Sequence, residues 1–454
     1  MSGGAGRVAF EIAQAFARQG HDIVLILPGN KTQVKKIEPN LRHLEIKSLN
    51  NEGGVAVPYL TVNNLQFLFN FLEKFSPQII HAHDFGPICL VAQFWAINHQ
   101  IPFVYTAHVM PTKRAYFVIG QYSKALSRFM DTELMKRYFA TFFKDCEAMI
   151  ALNQEAEKDI LKSGFRQKIF MIPNGRDLKV YQRCRLAKLS EKPKQLTFVG
   201  YLAKSKNQKY LLKVMKFLPD DFALNLVGTF INPRYLQELK DEVQKKHLKN
   251  INFIGEVPHH QIPGLLEKTH LFVSASTMEV QSLAVIEALA SGTPVIGLAN
   301  ETNEELVDDS VGFCLEKKTS PKVFAEKIQK ISSLSPKEYE ALGRQARKKV
   351  AHLDWPIIVE QTKQAYLELI KEKKNKDKGI EFKKIKEILE LLPASKFKSF
   401  LQKQVRIQSP KVAILKKKNA SFFALTIVAT FFLGIFYWFL NKIKKISLLI
   451  RPCQ

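Results

Sequence analysis

Apolar residues along this chain fall into two alternating rhythms. Val8, Ala9, Ile12, Ala13, Phe16 and Ala17 share one face at helical spacing, which predicts a helix near the start. Short β-rich runs follow at 23–27, 79–80, 103–106 and 149–152, separated by stretches of helical spacing. After Pro173-Asn174-Gly175 and a polar segment at 183–194, the pattern restarts with runs at 196–200, 223–227, 251–254, 271–274 and 294–297. Strands alternating with helices predict parallel sheets built from right-handed βαβ units. Two such series predict an α/β protein with two Rossmann-like domains, at 1–172 and 173–354, facing a ligand cleft. A return helix is expected at 355–372.

The start of the pattern is unusual. Gly3-Gly4-Ala5-Gly6 stands where a doubly wound domain has a turn after its first strand, yet no strand precedes it. The first domain is therefore expected to lack its first strand here. About 10–20 further in-frame residues upstream should form it, because an open sheet without that strand leaves backbone groups unpaired.

Residues 371–454 change character. They hold 20 basic and 5 acidic residues, so +15 of the chain's net +26 falls there and +11 on the rest. Charge concentrated in this way argues against a nucleic-acid binder coated along its length. Within the basic linker at 373–419, Ile380, Phe382, Ile385, Ile388, Leu389 and Leu392 form an apolar stripe that Pro393 ends. That stripe suits either a solvated linker helix or a helix lying on anionic lipid.

Residues 420–440 then run for 21 positions without a charge, with Tyr437 and Trp438 near one end and lysines on both sides. At ~1.5 Å per residue such a run spans roughly 30 Å, so a transmembrane helix is expected, followed by a basic tail at 441–454. The expected location is the cell membrane, single-pass near the C-terminus, with the body in the cytoplasm. No apolar leader opens the chain, and Cys89, Cys146, Cys184, Cys314 and Cys453 show no paired spacing, as in a reducing compartment. With 46% apolar residues, collagen-like and largely disordered classes are excluded.

The chemistry concentrates in one stretch. Glu279 stands just after the predicted strand at 271–274, and Glu287 eight positions on, within Leu283-Ala284-Val285-Ile286-Glu287-Ala288-Leu289-Ala290-Ser291. Gly292-Thr293-Pro294 then makes a turn into the next strand. A loop becoming a helix here offers free N–H groups and the positive end of a dipole to a phosphate.

This stretch resembles the signature of retaining glycosyltransferases of the GT-B fold, family 4. Other motifs agree in order: Gly3-Gly4-Ala5, His81-Ala82-His83-Asp84, Tyr105-Thr106-Ala107-His108, Ile172-Pro173-Asn174-Gly175-Arg176-Asp177, Val199-Gly200-Tyr201-Leu202 with Lys206-Asn207, and Phe253-Ile254-Gly255-Glu256-Val257. The resemblance covers roughly residues 3–370. Gln281, His108-Val109-Met110 and Tyr116 look most like the diacylglycerol glucosyltransferase branch.

The resemblance implies a role for each residue. Lys206 would bind the donor's diphosphate. Glu287 would accept from the ribose hydroxyls. Glu279 would face the transferred sugar, and the backbone near Ile254 would hold the base. Gly3 and Gly4 would admit the phosphates, and His108 would touch the sugar or the leaving phosphate. No cofactor or metal ion is implied, and His81 and His83 without a carboxylate array make a poor metal site. Asp84-Phe85-Gly86 matches a kinase triplet in letters alone.

Tyr201 departs from the family, which usually carries an Arg there, so either a nearby cation, Lys204 or Lys209, substitutes or donor binding is weak. The expected activity is sugar transfer from a UDP- or GDP-linked donor to diacylglycerol or another lipid-linked acceptor at an anionic membrane. The alternative is an inactive, membrane-anchored relative that binds without turnover.

Overall fold

A computed structural model describes residues 4–50, 56–109, 142–230 and 232–375 of the chain. The first half opens with α1 (Gly4–Arg18), whose buried face is the stripe from Val8 to Ala17. Then come β1 (Ile23–Gly29), β2 (Gln33–Glu38), β3 (Leu41–Asn50), β4 (Ala56–Pro58), α2 (Val62–Phe75), β5 (Ile80–Ala82), α3 (Pro87–Asn98) and β6 (Phe103–Thr106). β7 (Ala148–Ala151), α4 (Gln154–Lys162) and β8 (Lys168–Met171) complete it.

These strands form two sheets rather than one. β1 pairs with β3 in parallel, β2 and β4 pair with β3 antiparallel, and β5-β6-β7-β8 form a separate parallel sheet. Among the described residues no ladder joins β1 to β5. The consequence shows in burial: Ile23 to Leu27 of β1 are all half-buried, whereas every residue of β6 and β7 is buried. An apolar strand covered on both faces and paired on both edges would be buried throughout.

The second half follows the predicted rhythm closely. It contains α5 (Leu178–Gln182), β9 (Lys194–Val199), α6 (Gln208–Met215), β10 (Phe222–Val227), α7 (Pro233–Lys245), β11 (Ile251–Gly255) and α8 (Ile262–Glu267). β12 (Leu271–Ser274), α9 (Leu283–Ser291), β13 (Val295–Leu298), α10 (Glu301–Leu306), β14 (Gly312–Leu315), α11 (Pro321–Ser332) and α12 (Pro336–Lys349) follow. The strands make one six-stranded parallel sheet in the order β11-β10-β9-β12-β13-β14. This is a doubly wound order that reverses between β9 and β12, and such a reversal opens a crevice at the carboxyl ends of those strands. Gly292 ends α9 with φ 87°, a left-handed conformation that costs glycine nothing.

The last element, α13 (Trp355–Asn375), crosses back to the first half. Trp355, Ile358, Val359, Ala365 and Leu369 join Val8, Ile12 and Phe16 of α1 in one core cluster. Tyr366 stacks on Phe16 at 5.5 Å, and Lys168 of β8 pairs with Glu368 and Glu372.

The expectation of a fold completed by a membrane-spanning helix needs correction. Among the described residues no helix is long and apolar enough to cross a membrane. The apolar run at 420–440, the basic linker from 376 onward and the tail lie outside the described residues, as do Gly3, Met110 and Tyr116. Among the described residues the architecture is an α/β body of two Rossmann-like halves, with no helix of that kind.

The crossing point sets a tight steric condition. A Cβ on Gly175 would lie 2.3 Å from Trp355 Cε3, while one on Gly264 of α8 meets nothing within 4 Å. Gly175→Ala should therefore cost about 1–3 kcal/mol through overpacking, and Gly264→Ala should not destabilise. Thermal melts of both variants check this, and equal midpoints would show that Trp355 is not wedged as described.

Candidate functional site

The site forms where loops at the carboxyl ends of β9 and β12 meet the first half. The loop between β12 and α9 carries Glu279 and is stitched to the turn at 204–206 by Thr277, whose N–H donates to the Ser205 carbonyl at 2.9 Å. That turn ends in Lys206, and the Lys206 ammonium pairs directly with the Glu279 carboxylate. Two residues that the sequence assigns to separate parts of a donor thus hold each other here. Glu301 of α10 accepts from the Glu279 N–H at 3.0 Å and fixes the loop from behind.

The next residues of this loop plug into the first half. Val280 packs in one apolar cluster with Ala107 and Leu152. Asn153 donates to the Val280 carbonyl at 2.6 Å, and Gln281 accepts from the Asn174 N–H at 2.6 Å. His108 directly follows Ala107, so the end of β6 and the loop that bears Val280 meet at this cluster. Gln281 is therefore a docking residue between the halves, with its amide oxygen already used.

Glu287, on α9, is 4% exposed. Arg176 Nε and His259 Nε2 each stand 3.0 Å from its Oε1, and Tyr181 Oη lies 3.0 Å from the same His259 nitrogen. Burial pushes the Glu287 carboxyl up, but the His259 hydrogen bond and the charges of Arg176 and Arg7 outweigh it. The net result is a carboxyl held below its ordinary value, ionised in spite of burial. His259 follows β11 by only a few residues, so reaching Glu287 brings the end of β11 to the same rim. Ile254 stands there with its side chain 47% exposed.

Gly4 begins α1, and a Cβ on it would lie 3.3 Å from Leu283 Cδ1. The first turns of α1 and α9 thus abut, so two helix N-termini border the site. Arg7, half-buried in the first turns of α1, makes no side-chain ion pair or hydrogen bond among the described residues. Its positive charge is nonetheless felt at Glu287, Tyr181 and Tyr201. Burial and the charge of Glu256 push the Tyr201 hydroxyl up, against the pull of Arg7. Lys204, named above as a substitute cation beside Tyr201, instead faces Glu238 at 4.0 Å.

His108 is held by a second imidazole. Its Nε2 lies 2.9 Å from His83 Nδ1, with the rings stacked at 5.2 Å. His81, beside His83, uses one nitrogen on Thr106 Oγ1 at 2.6 Å and the other on Tyr366 Oη of α13 at 2.5 Å. Burial lowers all three histidines, His83 to about 4. Among the described residues no group of three or more His, Cys, Asp or Glu side chains is arranged to hold a metal ion.

Of the residues named from the sequence, the structure pairs Lys206 with Glu279 and sets Gly4 against the start of α9, the helix that carries Glu287, while His108 meets His83 and Ile254 stands at the end of β11. Arg7, His259, Arg176 and the His83–His108 pair were not legible as site residues. Arg176 belongs to a quoted motif and Arg7 directly follows another, but nothing in their spacing says that they face carboxylates of the other half.

Comparison with known proteins bears on the family and the fold. A family model described as Glycosyltransferase Family 4 matches residues 2–180, and one described as Glycosyl transferases group 1 matches 185–349. The alpha-monoglucosyldiacylglycerol synthase of Streptococcus pneumoniae is 23% identical over 278 residues, 56% of this chain and 61% of that protein. The chain thus spans about three-fifths of that relative's length. A GDP-mannose-dependent alpha-(1-6)-phosphatidylinositol dimannoside mannosyltransferase of Mycobacterium tuberculosis is 22% identical, over 73% of this chain and 84% of that protein. Among solved structures, HepE of Anabaena in complex with UDP-glucose superposes with a TM-score of 0.62 at 16% identity, covering 81% of this chain and 97% of that one. Sucrose-phosphate synthase from Thermosynechococcus elongatus gives 0.64 at 18%, covering 81% and 94%. At such identities the superpositions establish the fold.

The buried imidazoles make stability depend on pH. Below the ordinary histidine value of 6.5 the unfolded chain takes up protons that folded His83 refuses until about 4. Stability should therefore fall through that window as pH drops. His83→Gln keeps a hydrogen-bonding group and removes one titration, so its thermal midpoint should decline less steeply than wild type from pH 6.5 to 4. Parallel curves would show that His83 is protonated in the folded protein.

Proposed function

Because the chain belongs to the GT-B glycosyltransferases of group 1 and family 4, we propose that it transfers a sugar from a UDP- or GDP-linked donor to a membrane lipid hydroxyl, with retention of configuration. Diacylglycerol or another lipid-linked molecule is the acceptor, a reading supported by relatives named for glucosyldiacylglycerol and phosphatidylinositol mannoside synthesis. HepE in complex with UDP-glucose supports the donor class.

One observation carries the reading: a cation, Lys206, and an ionised buried carboxylate, Glu287, flank the start of α9 where two helix N-termini meet. In this proposal the donor's diphosphate takes Lys206 from Glu279 and lies against the α9 N-terminus, with Gly4 leaving room for the phosphates. Arg7 adds a second positive charge where Tyr201 supplies none. Glu287 accepts from the ribose hydroxyls, and the backbone at Ile254 holds the base. Released from Lys206, Glu279 turns to the sugar hydroxyls. His108, kept neutral by burial and oriented by His83, accepts or donates one hydrogen bond at the sugar.

The reaction then rests on stabilising the departing diphosphate and positioning the acceptor, with fixed cations and N–H groups meeting the developing charge. We assign it no metal ion or cofactor. The lipid acceptor implies action at an anionic, cytoplasmic membrane face. A second reading, donor binding without turnover, draws on Tyr201 alone.

Lys206→Ala and Glu287→Ala should each lower kcat/KM by about 100-fold or more while circular dichroism stays unchanged. The assay offers a panel of nucleotide sugars with membrane lipid extract and reads nucleoside diphosphate release and glycolipid product. Full turnover in a folded Lys206→Ala or Glu287→Ala variant would refute the site. Binding of donor with no nucleoside diphosphate released by wild type would favour the second reading.

A further inference from the structure

Arg176 is the largest fully buried side chain described, 1% exposed, and it stands where the chain crosses between the halves. Its N–H donates to the Leu353 carbonyl at 2.9 Å, and its carbonyl accepts from the Trp355 N–H at 3.0 Å. The outgoing and returning strands of the crossover are thus pinned at this residue. Its guanidinium reaches in both directions. Nη1 donates to Glu11 Oε2 of α1 at 2.6 Å, and Nε stands 3.0 Å from Glu287 Oε1 of α9. Glu11 also accepts from Trp355 Nε1 at 3.1 Å, which holds it in place.

A guanidinium kept only for structure has its N–H groups satisfied, since a buried donor without an acceptor is costly. Here Nε and Nη2 have no hydrogen-bond acceptor among the described residues, the Nε–Glu287 contact being an ion pair whose N–H is not aligned. The fork therefore retains donor capacity toward Glu287, which a small turn of that carboxylate would engage. We propose that Arg176 is a positioning residue for the donor site: Glu11 holds it from the first half, and it holds Glu287 oriented for the ribose. Ribose recognition then depends on the two halves being docked. This rests on the assignment of Glu287 to the ribose made above.

The test compares binding of UDP with that of its dideoxyribose analogue by calorimetry, on the full chain, for wild type, Arg176→Met, Arg176→Lys, Glu11→Gln and Glu287→Ala. Wild type should prefer UDP, and Arg176→Met should reduce that preference by about 10-fold or more. Arg176→Lys, which keeps charge without the fork, should recover part of it. In turnover the Arg176→Met loss should appear in the donor KM and leave the acceptor KM unchanged. A structural ion pair would move the thermal midpoint but not the discrimination between the two nucleotides.

Unchanged discrimination in folded Arg176→Met overturns the proposal. Should that variant fail to fold, Glu11→Gln carries the test, because Glu11 is only part-buried and its loss should weaken the same preference. No change there overturns the proposal equally. If Glu287→Ala keeps the preference for UDP, the ribose assignment itself is wrong and the proposal falls with it. If Glu287→Ala loses the preference and Arg176→Met keeps it, the assignment stands and only the role of Arg176 is refuted.

Discussion

A positive charge sealed away from water has to be met by negative charge, and Arg176 meets that condition only when both halves are docked. One of its carboxylates comes from α1 and the other from α9. Removing either would leave the buried guanidinium with a single carboxylate, and only the loss of both would strand its charge. The crossover, the donor-side helix and the first helix are thereby tied to one group. The rest of the cleft inherits its geometry from that tie.

The same logic recurs in the polar contacts around it. Asn153 and Gln281 are buried, and each side-chain amide spends a hydrogen bond across the boundary between the halves, on the Val280 and Leu152 carbonyls. Buried amides without partners would favour separation, so their satisfaction adds direction to what is otherwise apolar packing of Val280 against Ala107 and Leu152. α13 completes the docking from the other side, through Trp355 and Tyr366 on α1 and the lysine–glutamate pairs on β8.

Within the cleft, charges are arranged to be exchangeable rather than locked. Lys206 and Glu279 satisfy one another on a partly exposed rim, where an ion pair contributes little and can be opened by a stronger anion. Glu287 is the opposite case: buried, ionised and held by two groups at once. The cleft thus pairs a replaceable contact for a ligand's charge with a fixed contact for its hydroxyls.

Much of this was readable without coordinates. The run of β9 to β13, the helical face of α1 and the loop-to-helix placement of Glu279 and Glu287 follow from local periodicity and turn residues, which report burial along a single element. Periodicity was silent about β2, β3 and β4, where polar and charged residues alternate with Leu41, Leu44 and Ile46. It also could not say that β1 and β5 would fall in separate sheets, because strand pairing is decided between segments distant in sequence. The membrane-spanning helix was an inference from apolar length alone. Lys206 and Glu287 were recognisable by motif, but Arg176, Arg7, His259 and Tyr366 were not. A charged or polar residue looks solvent-facing until the fold carries a partner to it from a distant part of the chain, as with Glu11 and Glu287 at Arg176. The sequence by itself determined which elements form and which residues could carry the chemistry. Only the tertiary structure decided which charges face each other, because electrostatic pairing in a buried site depends on distance in space and on the exclusion of water, and neither is written into neighbouring letters.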